Sequence, residues 1–368
     1  MPPTIHPRHK GFSLVELMVG LAVGLVASLA IVQTMSLFEA QKRTTNSGSE
    51  AQENGLVSIA MLEQDIHNAG SGLAEPSPFD CTNFYTYLNS GAITGFNLAP
   101  VAIVDGGAGA SDTISIRYTT NFLSSLPAFL TADTSAASPF PVSRTFGFST
   151  SNLALIVQGA NCTLFNVSAI DSSASTLTHA PASSSPNLNP ASAYITSNGW
   201  PDYIAGAKVF NINGLVTHTY SVNNGNLQVV ESTLNGAGQS STTTPLVSNV
   251  VNLQAQYGIA PAGSTNVTQW VDATGSTWAT PSSTDRKRIK ALRIVVVTRT
   301  TAIAPTNVTN TCTTDSGIIN NGPCAWKADS ATSPAPAIDL SGNADWQRYR
   351  YRTYQTIIPL RNVIWTNL

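Results

Sequence analysis

The chain contains few charged residues: only 10% of its 368 residues are Asp, Glu, Lys or Arg, against about 25% in an average soluble protein. Its 18 basic and 20 acidic residues nearly cancel. A nucleic-acid partner is therefore not predicted, because such a partner selects a basic surface. Ser, Thr, Asn, Ala and Gly are abundant instead, which is typical of an exported protein.

Sequence motifs of catalysis are also absent. The five histidines are scattered, with no H-E-x-x-H pattern of a zinc protease, and no G-x-S-x-G pattern of an esterase occurs. The glycine-rich stretch DGGAGASD, residues 105–112, lacks the Lys-Ser/Thr ending of a phosphate-binding loop and predicts a turn between strands. We therefore expect no enzyme activity, no metal site and no cofactor.

Cysteine is scarce, with four residues at Cys81, Cys162, Cys312 and Cys324. No C-x-x-C pair occurs and no histidine stands at ligand spacing, which argues against a zinc site. An even number of cysteines in an exported chain favours disulfides, and four cysteines allow three pairings. We favour Cys312–Cys324, which closes a short loop, and this leaves Cys81–Cys162 by elimination. Buried free thiols are the alternative.

Charge is missing altogether from residues 17–38, and proline is missing from residues 12–70. As a helix, those 22 uncharged residues extend about 33 Å, enough to cross a bilayer core. Arg8 and Lys10 precede the span and are expected to stay in the cytoplasm, which places the rest of the chain outside. A secretory signal peptide is the poorer interpretation, because no cleavage site and no structural break follow the apolar run.

Four features coincide around residue 11: a basic leader, a Gly11–Phe12 junction, Glu16 as the fifth residue counted from Phe12, and an unbroken apolar helix. In this combination the stretch KGFSLVELMVGLAVG resembles the class III leader of type IV pilins. The resemblance implies that a membrane prepilin peptidase cleaves between Gly11 and Phe12 and methylates the new N-terminus.

Glu16 is a carboxylate at one end of a segment destined for lipid, where a charge costs a few kcal/mol. Cleavage creates a second charge, the α-amine of Phe12. If this amine meets Glu16 of a neighbouring subunit, the two charges become a pair and much of the desolvation penalty is removed. Glu16 is therefore predicted to set the register between subunits. The alternative is an acid that lies among the lipid headgroups.

Gly20, Gly24 and Ser28 follow Glu16 at four-residue steps. Small side chains at this spacing let a second helix approach closely, as in the G-x-x-x-G arrangement. The ridge favours helix bundling, although glycine is tolerated in membrane helices generally.

An amphipathic pattern continues the helix from residue 39 to about residue 70, where Gly70 is predicted to cap it. Leu56, Ile59, Leu62 and Ile66 are predicted to form its buried stripe. The rest of the chain reads as short β-rich runs separated by Gly, Asn or Pro turns and by Ser/Thr-rich loops. The expected fold class is α+β, a long helix on an antiparallel sheet. The predicted strands are residues 112–120, 153–159, 163–170, 207–222, 227–233, 250–259, 289–300 and 348–362.

The last third of the chain resembles the PilW group of minor pilins. The matching elements are a Tyr257–Gly258 strand, a strand that ends at Arg299, and a Tyr/Arg strand that runs into Arg361–Asn362. The resemblance also implies a helix-like segment before the Tyr-Gly strand. Residues 75–245 match nothing in this group.

Together the two resemblances imply a non-enzymatic minor pilin with four segments: leader 1–11, transmembrane helix 12–38, amphipathic helix 39–70 and β-rich body 71–368. Its expected partners are the prepilin peptidase, other minor and major pilins, a tip adhesin and the inner membrane. Before assembly the body is expected in the periplasm, and afterwards on the pilus at the cell surface. The alternatives are a minor pseudopilin of a type II secretion system and a membrane-anchored exported adhesin or hydrolase.

Overall fold

The computed structural model describes residues 11–73, 81–89, 91–93, 96–120, 126–135, 139–181 and 187–365. The predicted leader, apart from Gly11, lies outside the described residues. One long helix, α1 (Leu14–Asn68), opens the described chain, so it begins two residues after the predicted start at Phe12. The chain divides into two compact units between Glu50 and Ala51. The first unit contains the apolar part of α1, and the second contains its end and all the strands.

Within the described ranges, eighteen strands and four short α-helices follow α1. The short helices are α2 (Ser192–Asn198), α3 (Gly275–Trp278), α4 (Ser283–Arg288) and α5 (Arg361–Trp365). The strands are β1 (Asn83–Tyr85), β2 (Val101–Val104), β3 (Thr113–Thr119), β4 (Ala128–Phe129), β5 (Phe140–Pro141), β6 (Leu153–Gln158), β7 (Asn161–Asn166), β8 (Ala169–Asp171), β9 (Thr176–Thr178), β10 (Lys208–Asn223), β11 (Asn226–Asn235), β12 (Gly238–Ser248), β13 (Val250–Ile259), β14 (Gln269–Val271), β15 (Ile289–Arg299), β16 (Cys312–Thr313), β17 (Ile319–Asn320) and β18 (Tyr351–Pro359).

The larger sheet is organised around β10. The first half of β10 pairs with β4 and β6, and its second half pairs with β3 and β11. The path β1-β7-β6-β10-β11-β12 runs through this sheet, and β2 extends it beside β3. A second sheet has the order β14-β13-β15-β18, and its strand pairs are antiparallel. The long helix is thus followed by antiparallel β-sheet, which confirms the expected α+β class.

Each of the eight predicted β-rich runs contains a strand, with ends shifted by a few residues. The helix-like segment expected before Tyr257–Gly258 is wrong for this chain. There β12 leads directly into β13 through Asn249, whose φ of 58° turns the backbone at the junction. Val247 and Val250 are β-branched and buried, which favours extended backbone on both sides of Asn249.

The end of α1 packs on the sheets through a face that begins with small residues. Ala51, Gly55 and Ser58 are buried, and the larger Leu62 and Ile66 continue the same face. A Cβ at Gly55 would overlap the ring of Tyr354 on β18, so the helix lies too close to the sheet there for any larger residue. The predicted buried stripe is therefore correct at Leu62 and Ile66 and wrong at Leu56, which is 57% exposed.

Candidate functional site

The start of α1 carries the first candidate site. The backbone N–H of Ser13 donates to the Glu16 carboxylate over 3.0 Å, and the N–H of Val15 donates to the Ser13 hydroxyl over 3.3 Å. This reciprocal arrangement is a capping box, which satisfies donors that the first helical turn leaves free. In a single chain Glu16 therefore closes the N-terminus of the helix, directly beside Gly11 and Phe12.

The predicted ridge of small residues lies on one open face of this helix. A Cβ added at Gly20 or Gly24 meets nothing within 4 Å. The Ser28 hydroxyl donates to the carbonyl oxygen of Gly24 over 2.8 Å, so its polar group is already bonded within the helix. A shallow groove follows the ridge, and it is lined by Phe12, Glu16, Leu17, Gly20, Leu21, Gly24, Leu25 and Ser28.

The apolar side chains of this half of α1 are exposed from Phe12, at 89%, to Phe38, at 70%. Among the described residues, α1 is the one helix that is long and apolar enough to cross a membrane. A surface of this kind requires lipid or other apolar helices around it. Glu16, Gly20 and Gly24 therefore lie on an exposed part of α1, and their role in helix packing stays a prediction.

A second site lies where the end of α1 meets β10. Asp65 accepts a hydrogen bond from the Tyr220 hydroxyl over 2.6 Å and another from Nδ1 of His218. Nε2 of His218 lies 3.5 Å from the Glu231 carboxylate and 3.5 Å from the Tyr118 hydroxyl. The hydrogen bond that His218 donates to Asp65 raises the pKa of His218, although burial lowers it. Burial raises the pKa of Asp65, but the hydrogen bonds from His218 and Tyr220 outweigh burial and leave that pKa below its usual range.

We expect this pair to make the stability of the body depend on pH. Because the pKa of folded His218 is raised, its contribution is complete below its ordinary pKa of about 6.5 and is lost as the pH rises through the raised value. The contribution of Asp65 is present above its ordinary pKa of about 4 and is lost only as the pH falls through its lowered value. The free energy of unfolding should therefore fall as the pH rises above about 6.5.

Urea unfolding at pH 6 and pH 8 checks this expectation, with tryptophan fluorescence as the signal, because all six tryptophans lie beyond residue 199. Asp65→Asn should lower the free energy of unfolding by about 2 kcal/mol at pH 6 and remove most of the difference between the two pH values. His67→Gln, on the same helix, is the matched control and should keep the difference. An unchanged pH dependence in Asp65→Asn would contradict the assignment.

The C-terminal end of α1 is closed by Asn362, which belongs to the PilW pattern, and by Gly70, the predicted helix cap. Asn362 donates from its side-chain amide to the carbonyl oxygens of His67, over 3.3 Å, and Ala69, over 3.0 Å. Gly70 follows with a φ of 75°, a conformation that favours glycine, and its N–H donates to the carbonyl oxygen of Arg117. The expected cap at Gly70 is confirmed, and Asn362 adds a long-range cap.

Asn362→Ala is expected to lower the free energy of unfolding by about 1 kcal/mol, because two carbonyl groups at the helix end lose their donor. Arg361→Ala is the matched control, since Arg361 is exposed beside it. Urea unfolding of both variants in the same detergent measures the difference. Equal losses in the two variants would show that the amide does not hold the helix end.

The other two elements of the pattern serve packing. The Tyr257 hydroxyl accepts a hydrogen bond from the N–H of Ile103 over 2.7 Å, which ties β13 to β2. Gly258 leaves room for the ring of Trp270, because the nearest ring atom would lie only 2.6 Å from a Cβ at this position. The guanidinium of Arg299 lies over the Tyr349 ring, 4.7 Å from its centre.

The four cysteines form two disulfides, Cys81–Cys162 and Cys312–Cys324. The first joins the start of β1 to the parallel strand β7, and both of its cysteines are buried. The second closes the hairpin of β16 and β17. Within the described ranges, no group of three or more His, Cys, Asp or Glu side chains could hold a metal ion.

Several of the contacts between α1 and the sheets cannot be recognised in the sequence. Asp65 and His218 are 153 positions apart, and each is unremarkable in its own segment. Asn54 donates to the carbonyl oxygen of Ser248 over 2.9 Å, and Thr298 donates to that of Ala51 over 2.9 Å. A single sequence contains no signal for such pairs, because only the folded sheets bring them together.

Comparison with known proteins gives matches at both ends of the chain. Residues 218–362 match the family model of PilW, described as type IV pilus-assembly protein W. Residues 6–32 match the prokaryotic N-terminal methylation motif. Among solved structures, a type IV-like pilin from Thermus thermophilus aligns with 85% of this chain and 96% of its own, at 8% identity and a TM-score of 0.31. No curated protein matches the chain. The PilW match begins at His218, so part of the region 75–245 that the sequence left unassigned belongs to it.

Proposed function

We propose that this chain, with an N-terminal methylation motif at one end and a PilW region at the other, is a type IV pilin-like protein and a minor pilin that primes pilus assembly at the tip. The observation that carries the proposal is the overlap of the methylation motif, residues 6–32, with the exposed apolar half of α1. A prepilin peptidase cleaves after Gly11, methylates Phe12 and so prepares that half for packing into a filament.

The proposed organisation has four parts, with a leader at residues 1–11, a transmembrane helix at 12–38, an amphipathic helix at 39–70 and a β-rich body at 71–368. Before assembly the chain crosses the inner membrane once, with its N-terminus in the cytoplasm and its body in the periplasm. After assembly the body stands on the pilus at the cell surface. The exposed apolar residues of α1 support this order, because they need lipid first and neighbouring helices later.

The proposed partners of α1 are other minor and major pilins, which pack on the ridge of Gly20 and Gly24, and the β-rich body offers its surface to a tip adhesin. The role is structural, not enzymatic. Support comes from the match to the PilW family, which is described as a type IV pilus-assembly protein. Glu16 pairs with the methylated amine of a neighbouring subunit and so fixes the register of the helices.

A minor pseudopilin of a type II secretion system is the second candidate, because a pseudopilin shares the leader and the apolar helix. The PilW match over residues 218–362 favours the pilus. Deleting the gene and scoring surface pili and protein secretion in the same strain separates the two functions. We expect loss of pili with normal secretion, restored by a plasmid copy. Normal piliation with defective secretion would instead assign the chain to secretion.

A further inference from the structure

A cleft on the body is lined by Ile93, Phe96 and Asn97 and by residues of β3, β10, β11 and β12. Its volume is about 190 Å³, smaller than the pockets that hold drug-sized molecules. Its apolar lining consists of Ile93, Phe96, Leu215 and Leu234. The cleft is far along the chain from the helix ridge, and the pilin function does not use it.

Among the described residues that line this cleft, Arg117 is the one charged side chain. Its Nη1 donates to Oδ1 of Asn97 over 3.1 Å and to the carbonyl oxygen of Ala99 over 3.2 Å. The same Asn97 oxygen accepts a hydrogen bond from the N–H of Ala99, so the acceptor is itself held in place. The guanidinium is therefore oriented by the backbone around residue 98 before any ligand arrives.

The charge of Arg117 has no counter-ion within the described part of the chain, where none of the ion pairs includes it. Burial lowers the pKa of the guanidinium, the nearby Tyr257 opposes this by raising the pKa, and the positive charge of Arg286 lowers it further. A partly buried cation without a counter-ion is costly. The local charge of the cleft therefore favours an anion.

Arg293 shows how this chain satisfies a buried guanidinium when the role is structural. Arg293 donates to the Gln256 side chain and to the carbonyl oxygen of Pro334, and it lies over the rings of Trp270 and Trp326, at 5.3 and 5.4 Å from their centres. Burial lowers the pKa of Arg293 to about 10, although the charges of Asp272 and Asp329 raise it. Among the described residues, Arg117 has no cation–π contact with an aromatic ring and no ion pair with an acid.

We propose that this cleft binds a small carboxylate, with its acid group on Arg117 and its apolar body on Ile93, Phe96, Leu215 and Leu234. A guanidinium matches a carboxylate in both charge and geometry. The hydroxyl of Thr217 also lines the cleft and can donate to an oxygen of the ligand. An aromatic or short aliphatic monocarboxylate fits the volume.

Fluorine NMR of 4-fluorobenzoate with the full chain in an uncharged detergent tests this proposal. The protein should broaden the signal of 4-fluorobenzoate and leave the neutral isostere 4-fluorobenzamide unaffected. Arg117→Gln, which keeps a donor for Asn97 and removes the charge, should weaken binding about tenfold or more. Arg352→Gln, an exposed arginine on β18, is the matched control and should bind like the unmodified chain.

Ser232→Leu gives a second measurement, because it narrows the cleft from the sheet side without changing Arg117. This variant should also weaken binding, and it stands in for Arg117→Gln if that chain does not fold. The proposal is overturned by equal binding of benzoate and benzamide, by full binding in Arg117→Gln or Ser232→Leu, or by no binding of 4-fluorobenzoate at all.

Discussion

Replacing Glu16 with valine is expected to leave cleavage after Gly11 intact and to reduce incorporation into filaments about 100-fold or more. The valine removes one member of a proposed charge pair in an apolar helix bundle. The amine of Phe12 then stays unpaired, and breaking a buried pair in this way costs about 3–5 kcal/mol. Each factor of ten corresponds to about 1.4 kcal/mol, so the loss in assembly follows directly. Quantitative immunoblotting of sheared pili against the membrane fraction measures it.

Glu16→Gln separates the charge from the helix cap. Gln retains a side-chain oxygen that can accept from the Ser13 N–H, and Gln is the other residue common at this position of a capping box. If the pairing with Phe12 sets the register, Glu16→Gln should fail in assembly nearly as completely as Glu16→Val. Glu39→Val is the matched control, an exposed acid on the same helix, and should assemble normally. Normal assembly of Glu16→Gln would leave Glu16 with a capping role alone.

Loss of the Cys81–Cys162 disulfide is expected to have the largest effect on the stability of the body. The bond closes a loop of 81 residues, against 12 for Cys312–Cys324. In the chain-entropy model the stabilisation grows with the logarithm of loop length, which gives about 4.5 kcal/mol for the long loop and about 3 kcal/mol for the short one. Burial of both Cys81 and Cys162 adds to the difference, because the half-buried Cys312–Cys324 pair loses less packing.

Double alanine variants of each pair measure the two contributions by urea unfolding, again through tryptophan fluorescence. The chain-entropy model gives a difference of about 1.5 kcal/mol between the two disulfides. We therefore expect the free energy of unfolding to fall by at least about 1 kcal/mol more in Cys81→Ala/Cys162→Ala than in Cys312→Ala/Cys324→Ala. The second variant serves as the matched control for the loss of any disulfide. A larger loss for the short loop would show that the fold depends more on its C-terminal hairpin than on the link between β1 and β7.

Most of the regular structure follows from local patterns in the sequence. The predicted strands at 153–159, 250–259 and 289–300 are rich in apolar residues, several of them β-branched, and they form β6, β13 and β15 almost to the residue. The first half of α1 is also predicted by a local pattern, the uncharged run before residue 39. These elements carry their signal in their own side chains.

The elements that the sequence does not predict are those whose stability comes from neighbours. Strand β12 (GQSSTTTPLVS) is mostly exposed and shows no apolar alternation, yet it pairs with β11 along its whole length. Backbone hydrogen bonds to an existing strand do not require buried side chains, so the pattern of period two is missing. The predicted burial of Leu56 is wrong for a related reason. Gly55 lets the helix approach Tyr354 more closely than a stripe of leucines would.

The candidate sites also divide into those that a local pattern predicts and those that depend on the folded sheets. Glu16, Gly20 and Gly24 follow one another on a single helix, directly after Gly11 and Phe12, so their spacing alone brings them together. The contacts of Asp65 with His218 and of Asn362 with Ala69 join segments that are 153 and 293 positions apart. Such pairs depend on sheet register, which a single sequence does not fix.

The mass of the mature N-terminus tests the filament interpretation most directly. Intact-mass and peptide mass spectrometry of the protein purified from its native membrane should find a chain that begins at Phe12 with a methylated amine. That result requires cleavage after Gly11 and places the new charge beside Glu16. An intact Met1, or a first residue beyond Ala30, would contradict the account and leave an anchored, β-rich exported protein.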